Sequence, residues 1–578
     1  MQRIDVRVFK GMAPRVSPGL LENEQGVDVV GSATSGELRP WNMPKFVQDC
    51  LPDTRSIYLT AQGDWLTWNE VVQPHPAPQA NDAFGRIYYT RESGGLFVVS
   101  PLDGYQEYTA GVPQPIAPPT VVVAGSGSGT IEDRVYLYTY VNDWGEEGPP
   151  SEPSEFHEWQ EGKTVTLSDF AVPPLDFHPV VAIRIYRLGV GESLAEWFYV
   201  DEIPADQETY VDAVPDGLLG EALSTAEYTL PQIGARGLVP VGSGVFATFQ
   251  GNEVAFSEPY LPYAWPDGYR MTVAGSVVAL GVIGDSVVVL TNVNPVYIRT
   301  AHPSSSRLVP SGYGQSPLAE VTPCVSPYGV CSTEVGVIFP APDGLRVLQG
   351  DGPSSLLTEA LITAREWVPV FDPVEVRAIY YDGTYFGWSG DKGFSYHVRT
   401  NVLTWTGLSV SAMHTDGLDM YIVREGSIQL WGGDLGLMEG RFRSKVYRYD
   451  RPVNFSAVRV DSSLDPIWAV LRDQALPVIE SNLATQRDVL SLTEEEVLEY
   501  SVGGDNLLDL PYWGGNLAYL HVRIWADGAL CFDAELDDSG FARLPGGFLA
   551  REWQWEIASH AHVKQFTMAT SMRTLRGS

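Results

Sequence analysis

Two short histidine-containing segments carry residue types that metal binding or acid–base catalysis would need. His560-Ala-His562 has the spacing that places two imidazoles on one face of a strand, where Zn²⁺ or Ni²⁺ could bind with a third ligand. No nearby Cys or His completes that set, so a solvated strand face is the favoured interpretation. His414-Thr-Asp416-Gly-Leu-Asp419 offers an imidazole and two carboxylates, but Asp-Gly is first a turn former. We therefore predict no catalytic residue and no metal ligand.

Three further features suggest sites only at first sight. Gly125-Ser-Gly-Ser-Gly129 lacks both the spacing and the lysine of a phosphate-binding loop. Glu146-Glu147 predicts a solvated turn rather than a Ca²⁺ site, because Ca²⁺ needs several oxygens at fixed spacing. The four cysteines form no Cys-x-x-Cys pair and are predicted to be reduced, structural thiols: Cys50, Cys324, Cys331 and Cys531. The sequence thus predicts no cofactor-binding residue and no enzyme.

The net charge is strongly negative. With 37 basic and 72 acidic residues it is −35, which disfavours a DNA-binding surface of the usual basic kind. If DNA passed through a ring of such chains, carboxylates facing the lumen would repel phosphates and prevent binding that stalls passage. Solubility of an acidic protein explains the same charge equally well. Apolar stretches such as residues 287–290 are too short to span a bilayer, and the first ten residues lack a secretory signal, so cytoplasmic synthesis is predicted.

Strands and turns must position these residues, because helical periodicity is scarce. Short runs of Val, Ile, Tyr, Phe and Trp alternate with turn residues, among 57 glycines and 42 prolines, which indicates a mainly β chain. The one sustained helix-like stretch is residues 477–500. At 578 residues the chain exceeds what one hydrophobic core supports, so several domains are expected.

A hairpin-like unit recurs between residues 231 and 450. Its copies are residues 244–257, 282–290, 335–348, 379–388 and 420–431. The acids in the turns, Asp285, Asp343, Asp382 and Asp416, are spaced by 58, 39 and 34 residues. A four-stranded propeller blade uses about 40–50 residues, so this spacing favours a β-propeller. A β-sandwich with irregular hairpins is the alternative. Two earlier hairpins, at residues 57–68 and 84–90, are candidates for the first blades.

Residues 115–230 differ from this hairpin pattern in composition and in the order of strands and turns. A proline-rich segment at 113–119 introduces a strand at 134–141, an acidic turn with prolines and paired strands at 181–187 and 197–203. This order of strands and turns over about a hundred residues is typical of a fibronectin type III-like β-sandwich. Because both of its ends are rich in Pro or Gly, we expect it to project from the propeller and contact other subunits or fibres. The predicted regions are 1–114, an N-terminal segment with the first propeller hairpins; 115–230, the inserted sandwich; 231–450, propeller blades; and 451–578, a C-terminal β domain with a short helical stretch.

The chain ends in alternating strands around a Pro-Gly-Gly turn. Trp553, Trp555 and Ile557 are predicted to share the buried face of a strand opposite Phe566 and Met568. Leu544 and Phe548 would fix the hairpin that leads into it.

Four segments carry a resemblance to a known family. They are Ser35-Gly-Glu-Leu-Arg-Pro40; residues 138–151, with Trp144-Gly-Glu-Glu-Gly-Pro149; Arg184-Ile-Tyr-Arg187 with residues 210–216; and the ending at 541–571. In this order they resemble segments of bacteriophage virion structural proteins of the tail nozzle, or tail tubular protein B, kind. The resemblance implies a β-propeller platform with an inserted sandwich, assembled as a ring, commonly six-fold, beneath the portal and adaptor rings.

On this basis we expect a structural subunit of a phage tail, located in the virion. Its expected partners are other copies of itself, the portal or adaptor ring, tail fibre or tail tip proteins, and genomic DNA that passes without specific binding. The alternative is a glycan-binding or glycan-cleaving β-propeller protein that acts at the host envelope, since propellers also carry glycosidases.

Overall fold

The protein is mainly β in the computed structural model, as the sequence predicts. The structure describes residues 2–14, 22–190, 195–299, 313–314, 322–350, 352–434, 436–463, 520–536 and 540–576. The helix-like stretch at 477–500 lies outside these ranges. The chain forms two compact units: the first contains Met1–Thr54, Pro342–Arg346 and Leu356–Ser578, and the second contains Arg55–Ala341 and Val347–Ser355. The boundaries predicted at 115, 231 and 451 stay predictions.

The strands up to residue 212 are β1 (Arg3–Val6), β2 (Gly26–Val30), β3 (Lys45–Asp49), β4 (Ser56–Leu59), β5 (Trp65–Trp68), β6 (Val72–Pro76), β7 (Ile87–Arg91), β8 (Leu96–Val99), β9 (Tyr108–Thr109), β10 (Thr120–Ala124), β11 (Ser128–Arg134), β12 (Tyr136–Asn142), β13 (His157–Glu161), β14 (Thr164–Ser168), β15 (Val180–Val190), β16 (Ala195–Pro204) and β17 (Thr209–Asp212).

The later elements are β18 (Arg236–Val241), β19 (Val245–Gln250), β20 (Glu253–Phe256), β21 (Arg270–Thr272), β22 (Val277–Ile283), β23 (Ser286–Thr291), β24 (Val296–Arg299), β25 (Tyr313–Gly314), β26 (Cys331–Thr333), β27 (Gly336–Ala341), β28 (Gly344–Leu348), β29 (Ser355–Leu356), helix α1 (Ala364–Phe371), β30 (Arg377–Tyr381), β31 (Thr384–Ser389), β32 (Lys392–His397), β33 (Val402–Trp405), β34 (Ala412–Thr415), β35 (Met420–Arg424), β36 (Ser427–Leu430), β37 (Gly440–Ser444), β38 (Tyr447–Val453), β39 (Ala457–Ser463), β40 (Leu520–Ala526), β41 (Ala529–Leu536), β42 (Phe541–Arg543), β43 (Ala550–Ser559), β44 (His562–Ala569) and helix α2 (Met572–Arg576).

In the first unit, three strands of the N-terminal segment complete sheets built by later parts of the chain. β1 pairs with β44, in the sheet ordered β1-β44-β39-β42, and β3 pairs with β36, in the sheet β3-β36-β35-β34. β2 lies in the largest sheet, between the meander β30–β33 and the strand β37, which pairs with β43. The N-terminal segment therefore contributes one strand to each of three sheets of this unit.

The predicted buried face at the C-terminus is confirmed. Trp553, Trp555 and Ile557 on β43 are almost completely buried, as are Phe566 and Met568 on β44. The two strands belong to different sheets, and the Trp555 ring stacks on the Phe566 ring with centroids 3.8 Å apart. Alternating residues of the two strands therefore meet face to face between sheets, which places the aromatic pattern in a core.

In the second unit, four-stranded antiparallel sheets follow the chain in sequence order. They are β6-β7-β8-β9, β18-β19-β20-β21 and β22-β23-β24-β25. The first strands of consecutive sheets lie beside one another, β6 next to β18 and β18 next to β22. One apolar core lies between the second and third of these sheets, with Val245, Val254, Val287 and Ile298 among its members. The sheets therefore pack in series along the chain.

Between β9 and β18, two three-stranded sheets share one core. Their orders are β10-β14-β17 and β12-β15-β16. Val165 and Leu167 from the first sheet pack with Tyr136, Tyr138 and Ile183 from the second. β12 is buried along its whole length, so the alternation predicted there is correct in period but neither face reaches solvent. The region is a small β-sandwich inserted in the sequence between two four-stranded sheets.

Four of the five predicted hairpin copies are antiparallel pairs in the structure: β19 with β20, β22 with β23, β30 with β31 and β35 with β36. In the fifth, β27 and β28 stand on either side of the turn that contains Asp343. Asp285, Asp382 and Asp416 each lie in the turn that joins two paired strands. Asp382 has a positive φ of 45°, a conformation that Asp tolerates better than most residues.

Candidate functional site

The His560–His562 segment is not one continuous strand face. β43 ends at Ser559, His560 lies in a bend, and β44 starts at His562. The Ser559 hydroxyl accepts the Ala561 N–H at 2.9 Å and closes this turn. The expected strand is interrupted because β43 and β44 belong to different sheets, and the chain must cross from one to the other. Within the described ranges, no three or more His, Cys, Asp and Glu side chains are grouped to hold a metal ion.

The His414–Asp419 segment forms a turn, as Asp-Gly predicts. Asp416 Oδ1 accepts the N–H groups of Leu418 at 2.9 Å and Asp419 at 2.8 Å. Burial lowers the pKa of His414 to about 4, so the imidazole is neutral near pH 7. The carboxylate of Asp416 is engaged in backbone hydrogen bonds of the turn, which is a structural role.

The acidic pair Glu146 and Glu147 is where the sequence interpretation is wrong. Both residues are buried, although a solvated turn was expected. Glu147 accepts hydrogen bonds from Thr139 and Tyr186, each at 2.7 Å, and forms an ion pair with Arg184 at 2.6 Å. These partners lie on β12 and β15, so the carboxylate is held inside the sandwich. Local sequence contains no signal for this burial because the compensating charge lies 37 residues away.

Glu146 joins the sandwich to the sheet β6-β7-β8-β9. Its carboxylate pairs with Arg86, which immediately precedes β7, and both side chains are only 6% exposed. Arg86 also contacts Asp82 at 2.8 Å, and the Asn142 side-chain amide donates to Glu146 at 2.8 Å. Burial raises the pKa of Glu146, and the charge of Arg86 opposes that shift. A buried, hydrogen-bonded ion network therefore ties the inserted region to its neighbour.

Aromatic packing surrounds the same network. Trp144 stacks on His178 with ring centroids 3.6 Å apart, and its ring also lies 6.0 Å from that of Phe84. On the backbone, the Thr109 N–H donates to the Asp176 carbonyl at 2.8 Å. These contacts dock one side of the inserted region on the sheet β6-β7-β8-β9. Its projection from a propeller, with contacts to other subunits or fibres, stays a prediction.

Replacing Glu146 with alanine should destabilise the second unit strongly. Arg86 would keep Asp82 but lose its buried partner from the sandwich, and removing one member of a buried ion pair costs about 3–5 kcal/mol. Urea unfolding followed by circular dichroism measures the change. Glu152→Ala, at an exposed position a few residues further on, is the matched control and should alter the unfolding free energy by less than about 0.5 kcal/mol. Equal stability of the two variants would contradict the docked interface.

His178 makes this interface sensitive to acid. Burial, the main cause, and the charge of Arg86 lower the pKa of His178 to about 4, against the opposing effect of Asp143. The unfolded chain takes up a proton near pH 6.5, whereas the folded protein resists protonation until about pH 4. Stability is therefore fully present above pH 6.5 and falls between pH 6.5 and 4, by about 3 kcal/mol for this residue.

We expect the difference in unfolding free energy between wild type and His178→Gln to shrink as the pH falls from 7 to 4. Urea titrations at a series of pH values measure this difference. Carboxylates that titrate in both proteins contribute equally to the two free energies, so their effect cancels in the difference. His157→Gln, at a half-exposed position on β13, serves as the control variant. A wild-type and His178→Gln difference that stays constant over this range would refute the assignment.

A cavity of about 270 Å³ lies where β6, β18 and β22 run beside one another. Val71, Phe249 and Val277 contribute apolar surface. The polar lining residues are Gln73, Thr90, Arg91, Glu92, Arg236 and Tyr328. Burial raises the pKa of Tyr328 to about 12, so the phenol keeps its proton and can donate a hydrogen bond. An apolar wall with a few polar groups is the usual composition of a small-molecule site.

A β-bulge shapes one side of this cavity. Between Arg236 and Val239, a three-residue step on β18 faces a two-residue step on β19. Gly237 has a φ of +67°, and a Cβ there would lie 2.4 Å from the Phe249 ring. The Leu238 N–H donates to Thr90 Oγ1 at 3.1 Å, and His75 Nε2 donates to the Leu238 carbonyl at the same distance. The irregular backbone next to Arg236 is thus satisfied by two side chains of the neighbouring sheet. No sequence signal pointed to this cavity.

The four cysteines are free thiols, and burial raises the pKa of Cys324 and Cys331 to about 12. Such thiols stay protonated near neutral pH, which fits a packing role. In the part of the chain that the structure describes, no helix has both the length and the apolar character to cross a membrane.

No protein-family model matches the chain, and no curated protein sequence matches it. Among solved structures it is similar to the AfRom2 CNH domain, with 7% identity and a TM-score of 0.26 over 68% of this chain and 96% of that one. It is also similar to the extracellular domain of the putative hybrid two component system BT4673 from B. thetaiotaomicron, with 9% identity and a TM-score of 0.24 over 94% of this chain and 62% of that one. The corresponding domain of BT3049 gives 10% identity and a TM-score of 0.18 over 95% and 78%. Scores this low carry no functional argument.

Proposed function

We propose that this protein is a structural subunit of a bacteriophage tail, a nozzle-like ring component that forms part of the DNA-ejection conduit and a platform for other tail proteins. The proposal starts from the four sequence segments that resemble nozzle-type virion proteins. It assigns the protein to assembly rather than catalysis.

The observation that carries the proposal is that these segments contact one another in pairs. Leu38, in the first segment, exchanges two backbone hydrogen bonds with Val563, in the last, at 3.0 and 2.9 Å. In the sandwich, Glu147 pairs with Arg184 and Arg187 pairs with Asp212. Segments separated by more than five hundred residues thus pack together in one fold, which supports a shared architecture over chance likeness of single turns.

The arrangement of the sheets supports the propeller part of the proposal. Consecutive four-stranded sheets in the second unit have neighbouring first strands, as propeller blades have around their axis. In the first unit, β3 from the N-terminal segment completes the sheet formed by β34, β35 and β36. We propose that the inserted sandwich resembles a fibronectin type III module.

The net charge of −35 supports a conduit that DNA passes without sticking. In this proposal the acidic surface faces the lumen of a homo-oligomeric ring, six-fold as in the resembling proteins, with the portal or adaptor ring on one side. The virion tail is the proposed location.

Negative-stain electron microscopy and light scattering of the purified full-length protein test the proposal. We expect rings or ring-forming oligomers, and antibody labelling of particles should mark the tail. Reducing-sugar release from host polysaccharide tests the glycan alternative in the same preparation. A strictly monomeric protein that is absent from tails would refute the proposal, and sugar release abolished by one carboxylate substitution would favour the alternative.

A further inference from the structure

We propose that the cavity between β6, β18 and β22 binds a small organic acid, with its carboxylate on Arg236 and its apolar part against Phe249 and Val277. This is a ligand site in addition to the assembly role. The argument rests on the charges that line the cavity, on the backbone that presents Arg236, and on the size of the space.

The other charged groups at the cavity already have partners. Arg91 pairs with Glu107 and lies 3.3 Å from Glu70, and its guanidinium also stands over the Phe97 ring. Glu92 pairs with Arg55 at 3.1 Å. Arg236, by contrast, has no ion-pair partner among the residues that the structure describes. It is therefore the cation at this cavity that remains available for an anion.

Two neutral groups of the lining can add hydrogen bonds. The Gln73 amide and the Tyr328 hydroxyl have no side-chain partner within the described ranges. A carboxylate offers acceptor positions for a guanidinium, an amide N–H and a phenol together. An ammonium ligand would find only Glu92, whose charge is already engaged. The unused donors thus favour an anionic oxygen ligand.

The backbone holds Arg236 at the cavity. Arg236 starts the bulge on β18, and bulges commonly redirect a side chain next to a functional site. The Leu238 backbone is fixed through both its N–H and its carbonyl, by Thr90 and His75. Burial lowers the pKa of His75 to about 4, so this contact persists across the physiological pH range. A rigid support reduces the entropy cost of binding.

The volume sets the size of the ligand. An engineered apolar cavity of about 150 Å³ accommodates benzene. The present cavity, about 270 Å³, therefore has room for a ligand of roughly ten to twelve heavy atoms. A phenyl or short alkyl chain that ends in a carboxylate has this size and matches the apolar wall.

Phenylbutyrate and the matched alcohol phenylbutanol are suitable probes, measured by isothermal titration calorimetry and ligand-observed NMR on the full chain. We expect the acid to bind the wild type at least about tenfold more tightly than the alcohol, as a charge-assisted hydrogen bond predicts. Arg236→Ala should remove this preference, and Arg236→Lys should retain part of it. Because Arg236 is exposed, both variants should fold, which their thermal melts verify.

Two further variants complete the test. Val278→Phe places a bulky aromatic ring at the cavity wall and should weaken the binding of both probes. Lys45→Ala removes an exposed cation on β3 and should leave the binding of both probes unchanged. The proposal is overturned if the wild type binds neither probe at about 10 mM. It is also overturned if acid and alcohol bind equally, or if Arg236→Ala binds the acid as the wild type does.

Discussion

Truncation of Trp555 to alanine is expected to destabilise the first unit by about 3–5 kcal/mol, the range for emptying a large aromatic site in a core. Trp555 is fully buried, stacks on Phe566 at 3.8 Å and lies 5.2 Å from the ring of Phe442. It therefore connects the two sheets that contain β43 and β44. If the protein forms the proposed ring, assembly should fail together with this core. Urea unfolding monitored by circular dichroism gives the loss.

Two variants control this experiment. Trp555→Phe keeps a stacking ring and should lose less stability than the alanine variant. Lys564→Ala, at an exposed position of β44, should stay within about 0.5 kcal/mol of the wild type. An alanine variant of Trp555 that unfolds at the wild-type urea concentration would show that this aromatic cluster is not a core.

Asp212→Ala is expected to cost a similar 3–5 kcal/mol, because it removes the one fully buried carboxylate that two arginines of the sandwich share. The Asp212 carboxylate is completely buried and pairs with Arg187, whose side chain is 2% exposed. It also lies 3.5 Å from Arg134 and accepts the Tyr136 hydroxyl at 2.6 Å. The Val214 N–H donates to it as well, at 2.9 Å. Thermal and urea unfolding of the purified variant measure the loss.

Asp216 provides a matched control on the same arginine. Its carboxylate also contacts Arg187, at 2.7 Å, but the side chain is 63% exposed. Asp216→Ala should therefore cost no more than about 1 kcal/mol, as for an ordinary surface ion pair. A result in which the two aspartate variants are equally stable would mean that burial does not determine the strength of this network.

The mainly β fold and the hairpins were predictable because their signals are local. Alternation at Trp553, Trp555 and Ile557 shows which side chains share a strand face, whatever that face packs against. Asp-Gly at residues 382–383 and 416–417 favours tight turns through backbone conformations that few other residues adopt. Hence four predicted hairpins could be placed to within a few residues. The propeller and the fibronectin-like character of the insert depend on how sheets are ordered and stay proposals.

The sequence by itself determined the mainly β fold, the hairpin turns and the alternating aromatic face of the last strands, since each depends on neighbouring residues. Only the tertiary structure decided the burial of Glu146, for which the sequence predicts a solvated turn. Its buried charge is compensated by Arg86, which lies 60 positions away in the sequence. The same holds for Arg236, whose place at a cavity depends on a bulge held by Thr90 and His75. Burial and ion pairing are set by residues distant in sequence, and a one-dimensional pattern contains no information on which distant groups will meet.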